Sequence, residues 1–175
     1  MSFRQAVALS RTTVRCARAF ASSTATQFQV HGALTQLARG ELPQVGVEAH
    51  VTHAFTLDDT TRFAELSGDS NPIHTDAAFA LQHANASAPI VQGMLSASLF
   101  ATIFGKTIPG AVYISQQLRW RAPLLVGEQV CARIRVVKLR KHFVDCETIC
   151  EKVDGSGSEI VVEGLATVLL PAKET

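Results

Sequence analysis

The chain has 175 residues, of which 47% are hydrophobic and 18% are charged, and its net charge is +1. This composition excludes a chain too polar to fold and supplies enough apolar surface for the core of one domain. The charge is unevenly distributed, because five arginines precede the first acidic residue, Glu41, whereas acidic residues outnumber basic ones after it. The chain therefore divides into a basic N-terminal segment and a globular domain.

The basic segment has the composition of an organellar transit peptide. Arg11, Arg15 and Arg18 follow a spacing that gathers them on one face of a helix, and serine and threonine are frequent while acids are absent. The sequence predicts a mitochondrial transit peptide and leader in residues 1–40, a folded domain in residues 41–175, and a location in the mitochondrial matrix. The alternative is a disordered arm that binds nucleic acid. No aromatic interleaving or later basic patch supports it, so no nucleic-acid partner is expected.

The domain is predicted to begin with a strand and a helix. Residues 48–55 supply an early strand, and residues 56–66 have the apolar spacing of a helix. Thr56 or Asp58 can cap the start of this helix, and Gly68 provides its stop. Asp69 is therefore expected just beyond the helix, in a direction set by a turn.

A loop and a second, short helix come next. Pro72 lacks an amide proton and biases its predecessor away from helical conformation, which makes residues 69–73 an irregular loop. Thr75 and Asp76 can then open a short helix. His74 is therefore expected at the junction between the loop and this helix.

A central helix is predicted from residues 89–101, which are apolar on nearly every side and must be enclosed by protein. Gly105 is expected to end it. Only the first four amides of a helix lack an intrahelical acceptor, and a helix that starts at Pro89 would place the Gly93 amide near the end of that set. We therefore predict that the helix starts at Gln92 and that residues 89–91 are extended. No window has the roughly 18 uninterrupted apolar residues of a transmembrane helix, and no membrane span is expected.

Alternating apolar residues indicate strands in the second half of the chain. We predict that these strands form an antiparallel meander. One enclosed helix followed by long strands gives an α+β class, in which a curved sheet wraps around the helix. The strand candidates cover residues 112–120, 130–136, 142–152 and 159–170.

The cysteines and the paired histidines do not suggest a metal site. Cys131, Cys146 and Cys150 lack ligand spacing and are predicted to be small reduced core residues. His50 and His53 differ in parity, so they would lie on opposite faces of a strand. We therefore expect no metal ion.

Asp69 and His74 place a carboxylate and an imidazole five residues apart on non-helical chain. An imidazole titrates near neutrality and can exchange protons in either direction, and a carboxylate beside it can hold a water molecule. A helix that begins near Gly93 would add unpaired backbone amides, which stabilise a developing negative charge. These parts suit acid–base chemistry on a carbonyl compound.

The motif around these residues resembles a known signature. Residues 63–74, with the sequence FAELSGDSNPIH, and residues 89–94, PIVQGM, look like the hydratase-2 signature of the MaoC-like (R)-specific enoyl-thioester hydratases. The resemblance extends over residues 47–171 and includes the turn PLLVGE at residues 123–128. It implies the hotdog fold. The transit-like leader makes the chain most similar to the mitochondrial 3-hydroxyacyl-thioester dehydratases of type II fatty acid synthesis.

The resemblance implies reversible dehydration of (R)-3-hydroxyacyl thioesters to trans-2-enoyl thioesters by a hydro-lyase without a cofactor. It makes Asp69 and His74 the catalytic residues and the Gly93 backbone amide the oxyanion donor. Asn71 belongs to the motif and is expected to shape the loop. Gln92 departs from the family pattern, in which histidine commonly precedes the glycine, and this departure affects any second-shell hydrogen bond made there.

Other functions stay open at this point. The acyl group can be carried by acyl carrier protein or by coenzyme A, and an (R)-specific enoyl-CoA hydratase of fatty acid oxidation is the nearest alternative. A hotdog thioesterase, and a non-catalytic partner that binds acyl carrier protein, are further ones. Because an open sheet leaves an edge exposed, a homodimer is expected.

Several side chains have no assigned role in this scheme. Trp120 and Tyr113 are predicted to be packing residues rather than substrate platforms. Solvated positive charge is the default for the basic residues of the second half, although they can contact the phosphates of coenzyme A or an acidic carrier. These residues are Lys106, Arg119, Arg121, Arg140 and Lys141.

Overall fold

The computed structural model describes residues 28–37, 41–153 and 159–171. The predicted leader up to residue 27, with its three spaced arginines, and the turn at residues 154–157 lie outside the described residues. The described chain forms one six-stranded antiparallel sheet and three α-helices. The strands are β1 (Val30–His31), β2 (Glu48–Ala54), β3 (Val112–Trp120), β4 (Gln129–Arg140), β5 (Phe143–Lys152) and β6 (Ile160–Leu169). The helices are α1 (Leu57–Ser67), α2 (Ala77–Ala84) and α3 (Gly93–Thr107).

The core lies between α3 and one face of the sheet. Leu99, Phe100 and Ile103 on α3 are at most 1% exposed, and they belong to one cluster with Ile134 of β4 and Val144 of β5. The predicted α+β arrangement of an antiparallel sheet around an enclosed helix is confirmed. No helix in the described ranges is long and apolar enough to cross a membrane.

The strand order corrects the predicted meander. The sheet runs β1-β2-β4-β5-β6-β3, so only β4, β5 and β6 form a meander. β3 does not lie beside β4, because it pairs with β6 at the far side, where Trp120 is opposite Val162. Strand parity predicts which side chains share a face, but it carries no information on which strands are neighbours. The connection from β3 to β4 therefore crosses the sheet.

The end of α3 also differs from its prediction. The helix continues past Gly105 to Thr107, whose hydroxyl donates a hydrogen bond to the Ile103 carbonyl at 2.8 Å. Glycine in a helix interior costs only about 1 kcal/mol relative to alanine. Burial of Phe104 and Thr107 against the core outweighs that cost.

Part of the segment assigned to the leader packs on the domain. β1 pairs with β2, and Leu34 is 1% exposed within the core. Residues 28–37 therefore pack as part of the folded unit. The division of the chain at residue 40 into a leader and a domain stays a prediction.

The cysteines are core residues, as predicted. Cys131, Cys146 and Cys150 are all buried in strands β4 and β5. Burial raises the pKa of Cys146 and of Cys150 to about 12, so both thiols stay protonated at neutral pH. Neither is suited to act as a nucleophile.

Candidate active site

α1 begins with a capping box and ends at Gly68, immediately before Asp69. Thr56 and Asp59 form a capping box at the start of α1, in which the Asp59 amide donates to Thr56 Oγ1 at 3.2 Å and the Thr56 amide donates to Asp59 Oδ2 at 2.8 Å. Gly68 ends the helix in the left-handed conformation with φ of 78°, and its amide donates to the Ala64 carbonyl at 2.9 Å. The predicted cap and stop are confirmed.

Asn71 shapes the turn between the two predicted catalytic residues. Its side-chain oxygen accepts a hydrogen bond from the Ile73 amide at 3.3 Å. Its own amide lies 3.5 Å from Asp69 Oδ1. Pro72 then opens a single 3₁₀ turn that ends at His74, and Asp76 caps α2 as predicted. This turn reverses the chain and brings the two ends of the motif together.

Asp69 and His74 form a pair at the surface of the domain. Asp69 Oδ2 lies 3.5 Å from His74 Nε2, and the side chains are 48% and 14% exposed. His74 Nδ1 lies 2.6 Å from the Ile90 carbonyl oxygen, which can only accept, so the proton of the neutral ring is on Nδ1. The lone pair of Nε2 is thus directed towards the carboxylate and free to accept a proton.

The amide of Gly93 is presented at the start of α3. Gln92 is the N-cap residue, so Gly93 is the first helical residue and its amide has no acceptor within the helix. The approach is extended and held by the turn after β3, since the Val91 amide donates to the Leu124 carbonyl and the Val126 amide to the Pro89 carbonyl, each at 2.8 Å. The predicted late start of this helix is confirmed.

Two clefts meet at Gly93. The first, which we call the His74 cleft, has a volume of about 340 Å³ and is walled by Ser96 and Leu124. The second, the Asp69 cleft, has about 370 Å³ and is walled by Phe63 and Met94. Gly93 and Trp120 line both clefts. The imidazole therefore lines one mostly apolar cleft, the carboxylate lines the other, and the N-terminus of α3 at Gly93 lies at both.

Gln92 connects the two helices behind this space. The side chain is 2% exposed, and its Nε2 donates to the Thr60 carbonyl of α1 at 2.9 Å. Its Oε1 is buried and has no hydrogen-bond partner within the described part of the chain. The residue does not line either cleft. It holds the N-terminus of α3 against α1.

Of the five basic residues that have no assigned role, two form ion pairs with acidic side chains. Arg121 lines the His74 cleft but forms an ion pair with Glu163 on β6. Arg140 pairs with Asp145 at 2.7 Å. Burial opposes ionisation of Asp145, but the hydrogen bonds from Arg140 and Thr167 outweigh it and lower the pKa of the carboxyl.

Sequence reasoning missed three parts of the site. Ser96 is 1% exposed in the cleft wall, the Ile90 carbonyl orients His74, and Trp120 lies against Gly93. The sequence predicts a packing role for Trp120, whereas the structure places this residue in the walls of both clefts. Only its position at the end of a strand, just before the turn at Pro123, hinted at a location near the helix start.

The chain is similar to known proteins in sequence and in structure. The sequence matches the MaoC-like domain over residues 39–156. The chain belongs to the MaoC-like family. The predicted membership is confirmed.

Among the MaoC-like relatives of the chain, the mitochondrial 3-hydroxyacyl-[acyl-carrier-protein] dehydratase of Solanum lycopersicum is 34% identical over 77% of this chain and 82% of that protein. The (R)-specific enoyl-CoA hydratase of Aeromonas caviae is 38% identical over 73% of this chain and 96% of that protein.

The solved R-hydratase of Pseudomonas aeruginosa has a TM-score of 0.68 and 31% identity over 75% of this chain and 84% of that one. These MaoC-like proteins are hydro-lyases with the hotdog fold, which confirms the predicted fold and enzyme class.

Proposed function

We propose that this protein catalyses the reversible dehydration of (R)-3-hydroxyacyl thioesters to trans-2-enoyl thioesters. The observation that carries the proposal is the pairing of Asp69 with His74 at 3.5 Å beside the amide of Gly93, which has no acceptor within α3. The names of the relatives as dehydratases and hydratases support the same reaction. In this reaction one proton leaves Cα, one hydroxyl leaves Cβ, and together they form water.

The proton steps follow from the orientation of His74. Its neutral Nε2 accepts the proton from Cα, and the imidazolium then donates that proton to the hydroxyl that departs from Cβ on the same face. Asp69 accepts a hydrogen bond from the hydroxyl and then from the water molecule, and its negative charge stabilises the imidazolium. Hydration runs through the same steps in reverse. Positioned acid–base groups contribute about 10² to 10⁴ in rate, so they need a second source of stabilisation.

The amide of Gly93 provides that stabilisation. As Cα loses its proton, negative charge grows on the thioester oxygen. The Gly93 N–H and the positive end of α3 face this oxygen when the thioester occupies the space between the clefts. The apolar walls of the His74 cleft then receive the acyl chain.

We further propose acyl carrier protein as the carrier and the mitochondrial matrix as the location. The name of the tomato relative, which includes both the carrier and the organelle, supports this assignment. The contacts of Leu34 in the core favour a transit peptide that ends before Phe28. An (R)-specific enoyl-CoA hydratase is the alternative, as the name of the Aeromonas relative suggests.

Substitutions of the pair test the mechanism. Asp69→Asn and His74→Ala are each expected to lower the kcat of crotonyl-thioester hydration by at least about 10²-fold, because each removes a group that moves or holds the proton. The assay uses both crotonyl-CoA and crotonyl-acyl carrier protein, and circular dichroism checks the fold. His83→Ala, on the exposed surface of α2, is the matched control and is expected to keep full activity. Near-normal rates in either pair variant would refute the mechanism.

We also propose a homodimer that pairs through β3. This strand is at the edge of the sheet, and it exposes apolar side chains, with Val112 54% and Ile114 52% exposed. A long apolar edge strand is a template for pairing with another chain. A second copy would satisfy the free backbone groups and cover these side chains.

Sedimentation tests the dimer. Ile114→Lys places a charge in the paired edge and is expected to shift the protein from dimer to monomer at micromolar concentration. Val45→Lys is the control, because Val45 is 64% exposed outside the strands of the sheet, and it is expected to stay dimeric. A monomeric wild-type protein would contradict the proposal.

A further inference from the structure

We infer that Trp120 is a catalytic residue whose indole N–H donates a second hydrogen bond to the thioester oxygen, beside the Gly93 amide. This inference rests on the proposed dehydratase function. It extends that function by assigning an oxyanion donor that comes from the sheet rather than from the helix.

The five-membered ring of the indole lies against Gly93, with Nε1 as its nearest atom. A Cβ atom added to Gly93 would lie 2.6 Å from Trp120 Nε1, 2.9 Å from Cε2 and 3.3 Å from Cδ1. The nearest atom is thus the nitrogen, and the five-membered ring rather than the outer edge of the six-membered ring touches the glycine. Because a Cα–Cβ bond is about 1.5 Å long, Nε1 lies within about 4 Å of Gly93 Cα.

Neither donor has an acceptor among the described residues. An indole nitrogen can only donate. In residues 28–37, 41–153 and 159–171, no hydrogen bond is made by Trp120 Nε1–H or by the Gly93 amide. Two neighbouring donors that no described residue engages, beside an acid–base pair, can together serve as an oxyanion site.

Trp120 also has the right position and rigidity. It lines both the cleft that contains His74 and the cleft that contains Asp69. Its backbone is fixed by pairing with Val162 on β6 and by the next residue, Arg121, whose amide donates to the Val161 carbonyl at 2.8 Å. The residue is 44% exposed in the single chain.

The position of the Trp120 ring requires a glycine at residue 93. Gly93 lacks the side chain that would collide with the indole. In the inferred arrangement the two N–H groups donate to one oxygen atom from adjacent sides. Negative charge on that oxygen is larger in the enolate-like transition state than in the bound thioester. The second donor should therefore raise kcat more than it lowers KM.

Two substitutions of Trp120 distinguish a role as hydrogen-bond donor from a role in packing. Trp120→Phe keeps an aromatic ring without a donor, whereas Trp120→His keeps an N–H two bonds from Cγ, as Nε1 is in tryptophan. At about pH 8 the histidine is mostly neutral. We expect Trp120→Phe to lower kcat by about 10²-fold or more with little change in KM, as when one oxyanion donor is lost. Trp120→His is expected to recover at least tenfold of that loss.

An isosteric analogue tests the same point without a change of shape. Replacement of Trp120 by 3-benzothienylalanine substitutes sulfur for the N–H in an otherwise matching ring system. We expect the analogue to lose as much kcat as Trp120→Phe. Sedimentation and circular dichroism of every variant check that assembly and fold are unchanged.

Two results would overturn the inference. One is an analogue with kcat within threefold of wild type, and the other is an equal loss in Trp120→Phe and Trp120→His, which is the result expected of packing alone. In both cases an active wild-type protein would leave the proposed function standing. A wild-type protein with no crotonyl-thioester hydration on either carrier would refute the proposed function, and this inference with it.

Discussion

At the scale of single residues, the chemistry depends on atoms that are distant in sequence. His74 is oriented by the carbonyl of Ile90, and the start of α3 is held through Gln92 by the carbonyl of Thr60. Both contacts are to backbone oxygen atoms, which any residue type provides. The sequence motif therefore names the reacting side chains but not the groups that orient them.

The hydrogen bond of Gln92 predicts a difference between two substitutions. Gln92→Leu removes the bond to Thr60 and should lower the unfolding free energy by about 1 kcal/mol. Gln92→Glu places a buried carboxylate against a carbonyl oxygen, and at neutral pH it should cost about 3 kcal/mol or more. Urea unfolding measures the unfolding free energy of both variants. Gln82→Glu on the exposed surface of α2 is the control, with an expected change within about 0.5 kcal/mol. Equal losses in the two Gln92 variants would contradict the assigned contact.

At the scale of elements, the site is built where helices end and begin. α1 stops at Gly68 and releases Asp69, and α3 starts at Gly93 and presents its amide. Caps and stops are local features, so the sequence predicted both positions. The end of α3 was predicted less well, because burial of Phe104 and Thr107 carries the helix past Gly105.

Substitution by alanine is expected to change the unfolding free energy in opposite directions at two glycines. Gly68 has a φ of 78°, and no atom lies within 4 Å of an added Cβ, so the cost of Gly68→Ala is purely conformational. It should lower the unfolding free energy by about 1–2 kcal/mol and reduce kcat by redirecting Asp69, whereas Gly68→Asn should cost less. Gly105→Ala, in the interior of α3 with no atom within 4 Å, should stabilise by about 0.5–1 kcal/mol. Urea unfolding decides, and stabilisation by Gly68→Ala would contradict the geometry.

At the scale of the whole molecule, the N-terminal residues 28–37 close one side of the core. The His53 ring on β2 packs between Phe28, with ring centroids 4.4 Å apart, and Phe55, at 4.6 Å. Burial lowers the pKa of His53, and the smaller attraction of Asp59 does not cancel this effect. The buried contact thus links protonation to the stability of the fold.

The sign of that linkage gives a pH prediction. The unfolded chain binds a proton at His53 near the ordinary pKa of about 6.5, whereas the folded protein binds it only at lower pH. The stabilisation is therefore complete above that value and is lost as pH falls from it through the folded pKa. We expect the decrease in Tm between about pH 7.5 and 5.5 to be larger for wild type than for His53→Phe. Parallel Tm profiles would rule out a contribution from His53.

The sequence by itself determined the parts that local chemistry specifies. The caps of α1 and α2, the loop that carries Asp69 and His74, the enclosed α3 and the extent of most strands follow from residue type and spacing over a few positions. The specific motif around Asp69 was enough to indicate the family. Each of these features depends on neighbours along the chain, which the sequence shows directly.

Only the tertiary structure decided the contacts between distant segments. The place of β3 beside β6, the packing of Leu34 in the core and the contact of Trp120 with Gly93 were not predicted. Strand parity is the same for every choice of neighbouring strand, so pairing is selected by how the whole sheet closes over α3. That choice places an indole N–H beside the helix amide, and it turns a predicted packing residue into a proposed catalytic one.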